Sequence, residues 1–224
     1  MTVNIDNLNI ALPVGKTPTD TLAIELPGPQ ALEQYPELVT RLPDGSLRLT
    51  APTLGAASKS VHRTRCEWKE PIYWALSSAT EHVNHQLMAV TQVNSAQKVV
   101  IAQMHVKDDD SPLLKVFWQK GKLTMGFRQT FNQETPVNST VLDSVPLGAD
   151  FDILIRATSN LTLTVQASCN GRTSNVAPMT LDASWAARIF DFHGGVYNQI
   201  DFSATTLATD ASVCVIKDLQ IRHA

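Results

Sequence analysis

Arginine, glutamine, histidine and tyrosine stand at alternate positions in three separated stretches of this chain. In KVVIAQMHVK, residues 98–107, Gln103, His105 and Lys107 take every second place toward the end of an apolar run. In HRTRCEW, residues 62–68, Arg63, Arg65 and Glu67 alternate with Thr64, Cys66 and Trp68. In FDFHGGVYNQIDF, residues 190–202, Asp191, His193, Tyr197 and Gln199 lie opposite Phe190, Phe192, Val196, Ile200 and Phe202, with Asn198 the polar exception on the apolar side. Successive side chains of a β-strand point to opposite faces, so each stretch pairs an apolar face with a polar one. Antiparallel sheets normally keep one wet face, but such a face favours Thr, Lys, Glu and Ser over guanidinium, amide, imidazole and phenol groups. Set side by side, the three polar faces form a trough rich in cations and hydrogen-bond donors. Donors of this kind stabilise developing negative charge, and His105 carries the one side-chain type that titrates near neutral pH without help.

Strands must carry these residues, and strand-like segments dominate the chain. Residues 46–52, 62–68, 85–93, 98–106, 113–118, 122–130, 151–158, 161–168, 189–202 and 211–223 alternate or are rich in β-branched residues. In 98–106 the alternation puts Val100, Ala102, Met104 and Val106 on the core face and Val99 and Ile101 on the face of Gln103 and His105. The sequences PDGS at 43–46, QKGK at 119–122 and TSN at 158–160 predict hairpin connections. One helix candidate, PQALEQYPELV, is interrupted by Pro36. No repeat, low-complexity tract or linker divides the chain, so residues 1–224 are expected to form a single domain. Many short strands with polar turns predict an all-β sandwich of two antiparallel sheets, of the jelly-roll kind.

Composition bounds the function. The chain has 224 residues, 43% of them hydrophobic and 17% charged, with a net charge of -3. That balance predicts no general attraction to nucleic acid or to anionic membranes, so any cationic site must be local, made by clustering a minority of the 18 Lys and Arg. No apolar run approaches the ~20 residues that span a bilayer, and the start MTVNIDNLNIALPVG lacks the pattern of a secretory leader. Cys66, Cys169 and Cys214 have no metal-type spacing and cannot form a complete set of disulfides. Asp108, Asp109 and Asp110 lack the glycine and distal Glu of a calcium loop and read as a solvated turn. His62, His82 and His85 show no ligand spacing, and the triplets NST at Asn138 and NLT at Asn160 matter only in a eukaryotic secretory pathway.

RTRCEW, QMH and HGGVYNQ resemble, in order and rough spacing, three blocks of polysaccharide lyase family 7, the alginate lyases. Those blocks usually read R-[ST]-E-L-R, Q-[IV]-H and Y-F-K-A-G-x-Y-x-Q. LNIALPVG, PLLKVFW, VPLGADFDILI, LTLTV and the SW before the third block are similar too, so the resemblance covers nearly the whole chain. Read from Arg63, the first block has Arg65 in place of Glu and Glu67 in place of the second Arg, an exchange of charges on one face. His193 replaces the usual Lys and Gly194 the usual Ala. Met104 stands where Ile or Val loosely tracks uronate preference, and it fits neither.

The resemblance implies a β-jelly roll whose concave sheet binds an anionic polysaccharide: alginate, polymannuronate, polyguluronate or glucuronan. It implies β-elimination, in which the C5 proton is removed, the 4-O-linked sugar leaves, and an unsaturated uronate end is formed. No metal or organic cofactor is required, and a monomer acting outside the cytoplasm, secreted or periplasmic, is expected. Arg63 and Gln103 are expected to neutralise charge on the substrate carboxylate. His105 is the base, and Tyr197 protonates the leaving oxygen and can take the C5 proton where both lie on one face. Gln103 and His105, about 7 Å apart along the strand, then address one sugar ring. Arg65, Glu67, Lys107, Lys115, His193 and Gln199 are expected to bind substrate, with Glu67 orienting an Arg. The exchanged Arg65 and Glu67 also motivate a second reading, a glycan-binding jelly roll without catalysis. A glycoside hydrolase ranks lower, because no block sets two carboxylates together on a strand face among aromatic residues.

Overall fold

The computed structural model, which describes residues 2–59 and 61–224, turns the alternating segments into strands. In chain order these begin with β1 (Asn9–Leu12), β2 (Ile24–Pro27), β3 (Val39–Arg41), β4 (Leu47–Pro52), β5 (Arg65–Lys69) and β6 (Trp74–Ala75). The middle of the chain gives β7 (Glu81–Gln92), β8 (Lys98–Val106), β9 (Leu114–Gln119), β10 (Lys122–Phe127) and β11 (Val137–Leu142). It closes with β12 (Phe151–Thr158), β13 (Thr162–Cys169), β14 (Arg172–Thr173), β15 (Met179–Thr180), β16 (Ile189–Asn198) and β17 (Ala211–His223). One sheet runs β11-β10-β9-β8-β16-β5-β1-β2 with β6 beside β16; the other runs β14-β13-β12-β7-β17-β4-β3 with β15 beside β13. Every pairing between these strands is antiparallel. The result is the two-sheet sandwich that the alternation predicts. Among the described residues no helix is long and apolar enough to cross a membrane.

The turns follow their residues. Lys120 and Gly121 both adopt positive φ, 47° and 78°, the two-residue geometry that matches the twist of the β9–β10 hairpin. Asp44 Oδ1 accepts from Ser46 N at 2.9 Å and closes the β3–β4 connection. Thr158 leads into the β12–β13 turn, where Leu161 takes φ 62°. The helix candidate forms α1 (Gly28–Gln34) and stops before Tyr35, since the residue ahead of Pro36 is pushed out of helical geometry.

The sheets meet over one apolar core. Ile10, Trp68, Met104, Phe190, Phe192 and Val196 enter it from the first sheet, and Leu47, Leu49, Met88, Phe151, Ile153 and Ile216 from the second. Each such side chain contributes about 1.5–3 kcal/mol by leaving water. Polar groups are built into this interior, Gln86 and Asn198 among them. Trp68 Nε1 donates to Gln86 Oε1 at 3.2 Å, and Gly194 leaves room for that amide, because a Cβ there would stand 2.7 Å from Gln86 Nε2. Asn198, the polar exception on an apolar face, is fully buried and donates to the Ala51 carbonyl at 3.0 Å and to Thr64 Oγ1 at 2.9 Å. Its Oδ1 accepts from Asn94 at 2.9 Å and from Ser212 at 2.7 Å, so a buried amide costs little.

The parity of β8 needs correction. The pairing of β8 with β9 shifts register between Val100 and Ala102, a β-bulge, so the chain carries an extra residue there. Val99, Ile101 and Ala102 all join the main core, while Val100 leaves it to cluster with Phe117 and Tyr197. Strict alternation predicts Val100 inside and Val99 and Ile101 on the polar face. Beyond the bulge the expected phase resumes, with Met104 and Val106 in the core. The expected run 189–202 also stops early: β16 ends at Asn198, leaving Ile200 and Phe202 outside it.

All three cysteines are free and buried. Burial pushes the Cys66 thiol up to about 12 and that of Cys214 higher than its ordinary value too, so both behave as small apolar core residues.

Candidate active site

Strand order explains how distant stretches meet. β8, β16 and β5 are neighbours, in that order, with β9 flanking β8. The register sets His105 opposite Asp191 and Gln103 opposite His193 on one side of β16. On its other side Gly195 faces Glu67, Tyr197 faces Arg65, and His193 faces Lys69. Lys115 pairs with Gln103 from β9.

Glu67 is a buried anion of this surface, 1% exposed. Its Oε1 accepts from Gln103 Nε2 at 2.7 Å, and its Oε2 lies 3.6 Å from Arg65 Nη1. That hydrogen bond spans β16, the strand between β8 and β5. Gly195 itself takes φ +128°, and a Cβ there would come within 2.6 Å of the Cys66 carbonyl oxygen. A residue with a side chain is therefore excluded at the centre of the site.

Tyr197 lies beneath two cations. The Arg65 guanidinium carbon is 4.0 Å from its ring centroid and Lys115 Nζ is 5.5 Å from the same centroid. Burial raises the Tyr197 phenol above its ordinary value, Arg65 works against that rise, and Glu67 adds to it. The phenol is held as a proton donor. Lys115 is pulled down to about 8, first by burial, with Arg65 adding to the fall and Glu67 opposing it. His105 is depressed to about 3 by burial and by the adjacent His193, against the opposing pull of Asp191. It is a neutral imidazole at any ordinary pH, a group able to accept a proton but not to deliver one.

His193 is 6% exposed, shares a 2.7 Å hydrogen bond between its Nε2 and Asp191 Oδ2, and stacks on His105 with ring centroids 5.0 Å apart. A cleft of about 430 Å³ adjoins this surface on the side of β1 and β2, lined by Arg65, Glu67, Lys69 and His193 together with Lys59 and Asp110.

The sequence reading and the geometry part company at several residues. Arg63 lies ahead of β5 and turns to Asp201, Nε to Oδ1 at 3.0 Å, with its side chain 34% exposed. The strand that carries the first block is Arg65–Lys69, and Arg65, Glu67 and Lys69 share the trough face. Set on that strand, R-C-E-W-K follows the block R-[ST]-E-L-R without any exchange of charges. Cys66 stands for Ser or Thr, Trp68 for Leu and Lys69 for the second Arg, so the order of charges is kept. The apparent exchange came from starting the block two residues early, which parity cannot detect because a shift of two keeps every face. Lys107 lies past the end of β8, its Nζ 5.5 Å from the Tyr73 ring centroid. Gln199 lies past the end of β16 and its amide donates to the Tyr197 and Asn198 carbonyls at 3.4 and 3.1 Å. Asp110, read as part of a solvated turn, reaches the cleft. Lys69 and Asp191 were not singled out for the site, although their parity with Glu67 and His193 marks them for the same face.

A two-sheet antiparallel sandwich with a cationic trough across β8, β16 and β5 is the architecture of a polysaccharide lyase. Residues 3–223 match the family model described as alginate lyase, and the chain belongs to that family, polysaccharide lyase family 7. Solved structures agree on the fold. An alginate lyase from Pseudomonas aeruginosa is 20% identical with a TM-score of 0.84, covering 99% of this chain and all (100%) of that one. The alginate lyase from Klebsiella pneumoniae is 19% identical with a TM-score of 0.83, covering 98% and 96%. A tyrosine-to-phenylalanine variant of the family 7 alginate lyase A1-II′, in complex with product (GGG), is 21% identical with a TM-score of 0.81, covering 100% and 97%. Comparison with curated proteins brought no match.

Proposed function

We propose that this lyase binds an anionic polyuronate along the trough, acts as a monomer, and cleaves alginate or a related chain by β-elimination. The observation that carries this reading is the placement of Arg65, Gln103, His105 and Tyr197 on one face of three adjacent strands, with each held by a specific neighbour. The C5 proton of a uronate is weakly acidic until the charge building on its carboxylate is neutralised. Arg65 supplies a charged fork for that carboxylate. Gln103 spends one amide N–H on Glu67 and keeps the other for the substrate, its orientation set by that bond. Positioned donors of this type contribute roughly 3–4 kcal/mol each to transition-state stabilisation.

His105, neutral in this setting, takes the C5 proton, and Tyr197, protonated, delivers one to the departing glycosidic oxygen. Where proton and leaving group lie on the same face, Tyr197 serves both. Lys69 and Lys115 extend the positive surface toward neighbouring uronates. A family 7 relative in which a histidine and a tyrosine are replaced together is described in complex with substrate (GGMG), which fits a role for these two residue types. The reading of a non-catalytic glycan binder loses its motive, since Arg65, Glu67 and Lys69 stand in the family's order.

The test is absorbance of the unsaturated product during incubation with alginate, polymannuronate, polyguluronate and glucuronan. A rise on at least one of them is expected. Saturable binding to these chains with no rise on any would replace this reading with the glycan binder.

A further inference from the structure

We propose that His105, Asp191 and His193 form a binding site for a divalent transition metal of the Zn²⁺ type, and that metal bound there silences the lyase. One ligand atom from each of the three lies within 4.8 Å of the other two. They come from two neighbouring strands. His105 is the cross-strand partner of Asp191, His193 follows Asp191 by two residues on the same face, and the two imidazole planes are within 6° of parallel. Asp191 is fully buried, yet among the described residues only one of its carboxylate oxygens is used: Oδ2 meets His193, and Oδ1 has no hydrogen-bond partner there. A buried carboxylate oxygen without a donor is a site for an ordered water or an ion. In the block Y-F-K-A-G-x-Y-x-Q the positions of Asp191 and His193 carry Tyr and Lys, so the Asp–His pair is a departure from that pattern.

The donor set decides the metal. Two imidazoles and one carboxylate suit Zn²⁺, Cu²⁺ or Ni²⁺, whereas Ca²⁺ and Mg²⁺ take oxygen ligands. Ligand bonds of about 2.0–2.2 Å on a tetrahedral ion require the donor atoms to close in by roughly an ångström. His105, the least buried of the three, has the freedom to do so. Arg65 and Lys115, cations on the same face of the trough, oppose any ion held by charge alone. The site therefore selects metals that bond strongly to imidazole. A metal on His105 occupies the lone pair that would accept the C5 proton. The metal site stands on geometry; only the silencing rests on the function proposed above.

Zn²⁺ titrated calorimetrically into the untagged chain should bind at one equivalent, and Co²⁺ should give visible d–d absorption showing nitrogen ligands. Asp191→Asn and His193→Gln should each weaken Zn²⁺ at least ~10-fold, with unchanged circular dichroism. Zn²⁺ should suppress the elimination rate, with recovery on adding EDTA. Absence of saturable binding, or binding unaltered by both substitutions, overturns the site. Should Zn²⁺ bind at these residues and leave the elimination rate untouched, the silencing falls, and His105 as base falls with it. Should the chain be inert on every polyuronate while Zn²⁺ still binds here, the metal site survives and the proposed reaction does not.

Discussion

Gln103 donates to Glu67 at 2.7 Å across an intervening strand, joining β8 to β5 over β16. This bond fixes which way the Gln103 amide faces and keeps a nearly buried carboxylate beside Arg65. Glu67→Ala removes the acceptor and leaves the amide without its partner. The expected result is a loss of about 1–3 kcal/mol in unfolding free energy. Turnover should fall on the order of 100-fold through misplacement of Gln103 and Arg65. Denaturant melts and initial rates measure the two effects separately.

Arg65 and Arg63 are two residues apart but occupy different settings. Arg65→Ala should reduce kcat/KM at least ~100-fold, the scale of a lost donor to developing charge. Arg63→Ala removes a half-exposed pair with Asp201, worth about 0.2–1 kcal/mol, and should leave kcat/KM within a few-fold of wild type. The reverse order of losses would return the carboxylate to Arg63.

His105→Ala and Tyr197→Phe should each lower turnover by at least ~100-fold with the fold intact. Tyr197→Phe is the sharper experiment, because the ring beneath Arg65 remains and only the hydroxyl is lost. Near-normal rates in both variants would refute the assignment of base and acid.

Lys115, held near pH 8, is charged below that value and neutral above it. KM for a polyuronate should therefore rise as pH climbs through about 8. Lys115→Arg keeps its charge there and should flatten the rise, while kcat follows the wild-type profile. An identical KM profile in the variant would remove Lys115 from substrate binding.

His105 also links pH to stability. Its folded pKa, about 3, lies below the unfolded value of 6.5, so the unfolded chain takes up the proton first as pH falls. The stability that goes with a neutral His105 is present above pH 6.5 and is lost progressively toward 3. His105→Asn should show a shallower decline of melting temperature across that window. Parallel curves for the two proteins would mean that His105 is not held neutral in the fold.

The trough is partly legible in the sequence. Alternation put Gln103 with His105, and His193 with Tyr197, on faces opposite Met104 and Phe192, and the structure keeps those faces. Alternation breaks within β8, and two arginines of equal parity can each open the first block. A bulge at Val100–Ala102 reverses three residues, and a two-residue slide of the first block leaves every parity unchanged while setting its start at Arg63, ahead of the strand that begins at Arg65. Gln199 and Lys107 keep the right parity but lie past the ends of their strands, where parity no longer locates a side chain. Short strands such as β6, β14 and β15 have two residues each and too little sequence to alternate.

The sequence by itself determined that the chain is built of strands, which of their residues avoid water, and which residue types are available for charge stabilisation and proton transfer. These are local properties, carried by the two-residue period of the strand and by side-chain chemistry. Only the tertiary structure decided that β16 lies between β8 and β5, that Glu67 locks Gln103, that Arg65 covers Tyr197, and that Asp191 joins two histidines. Those relations depend on ladder hydrogen bonds between segments many tens of residues apart, and no period within one segment encodes its neighbour's register.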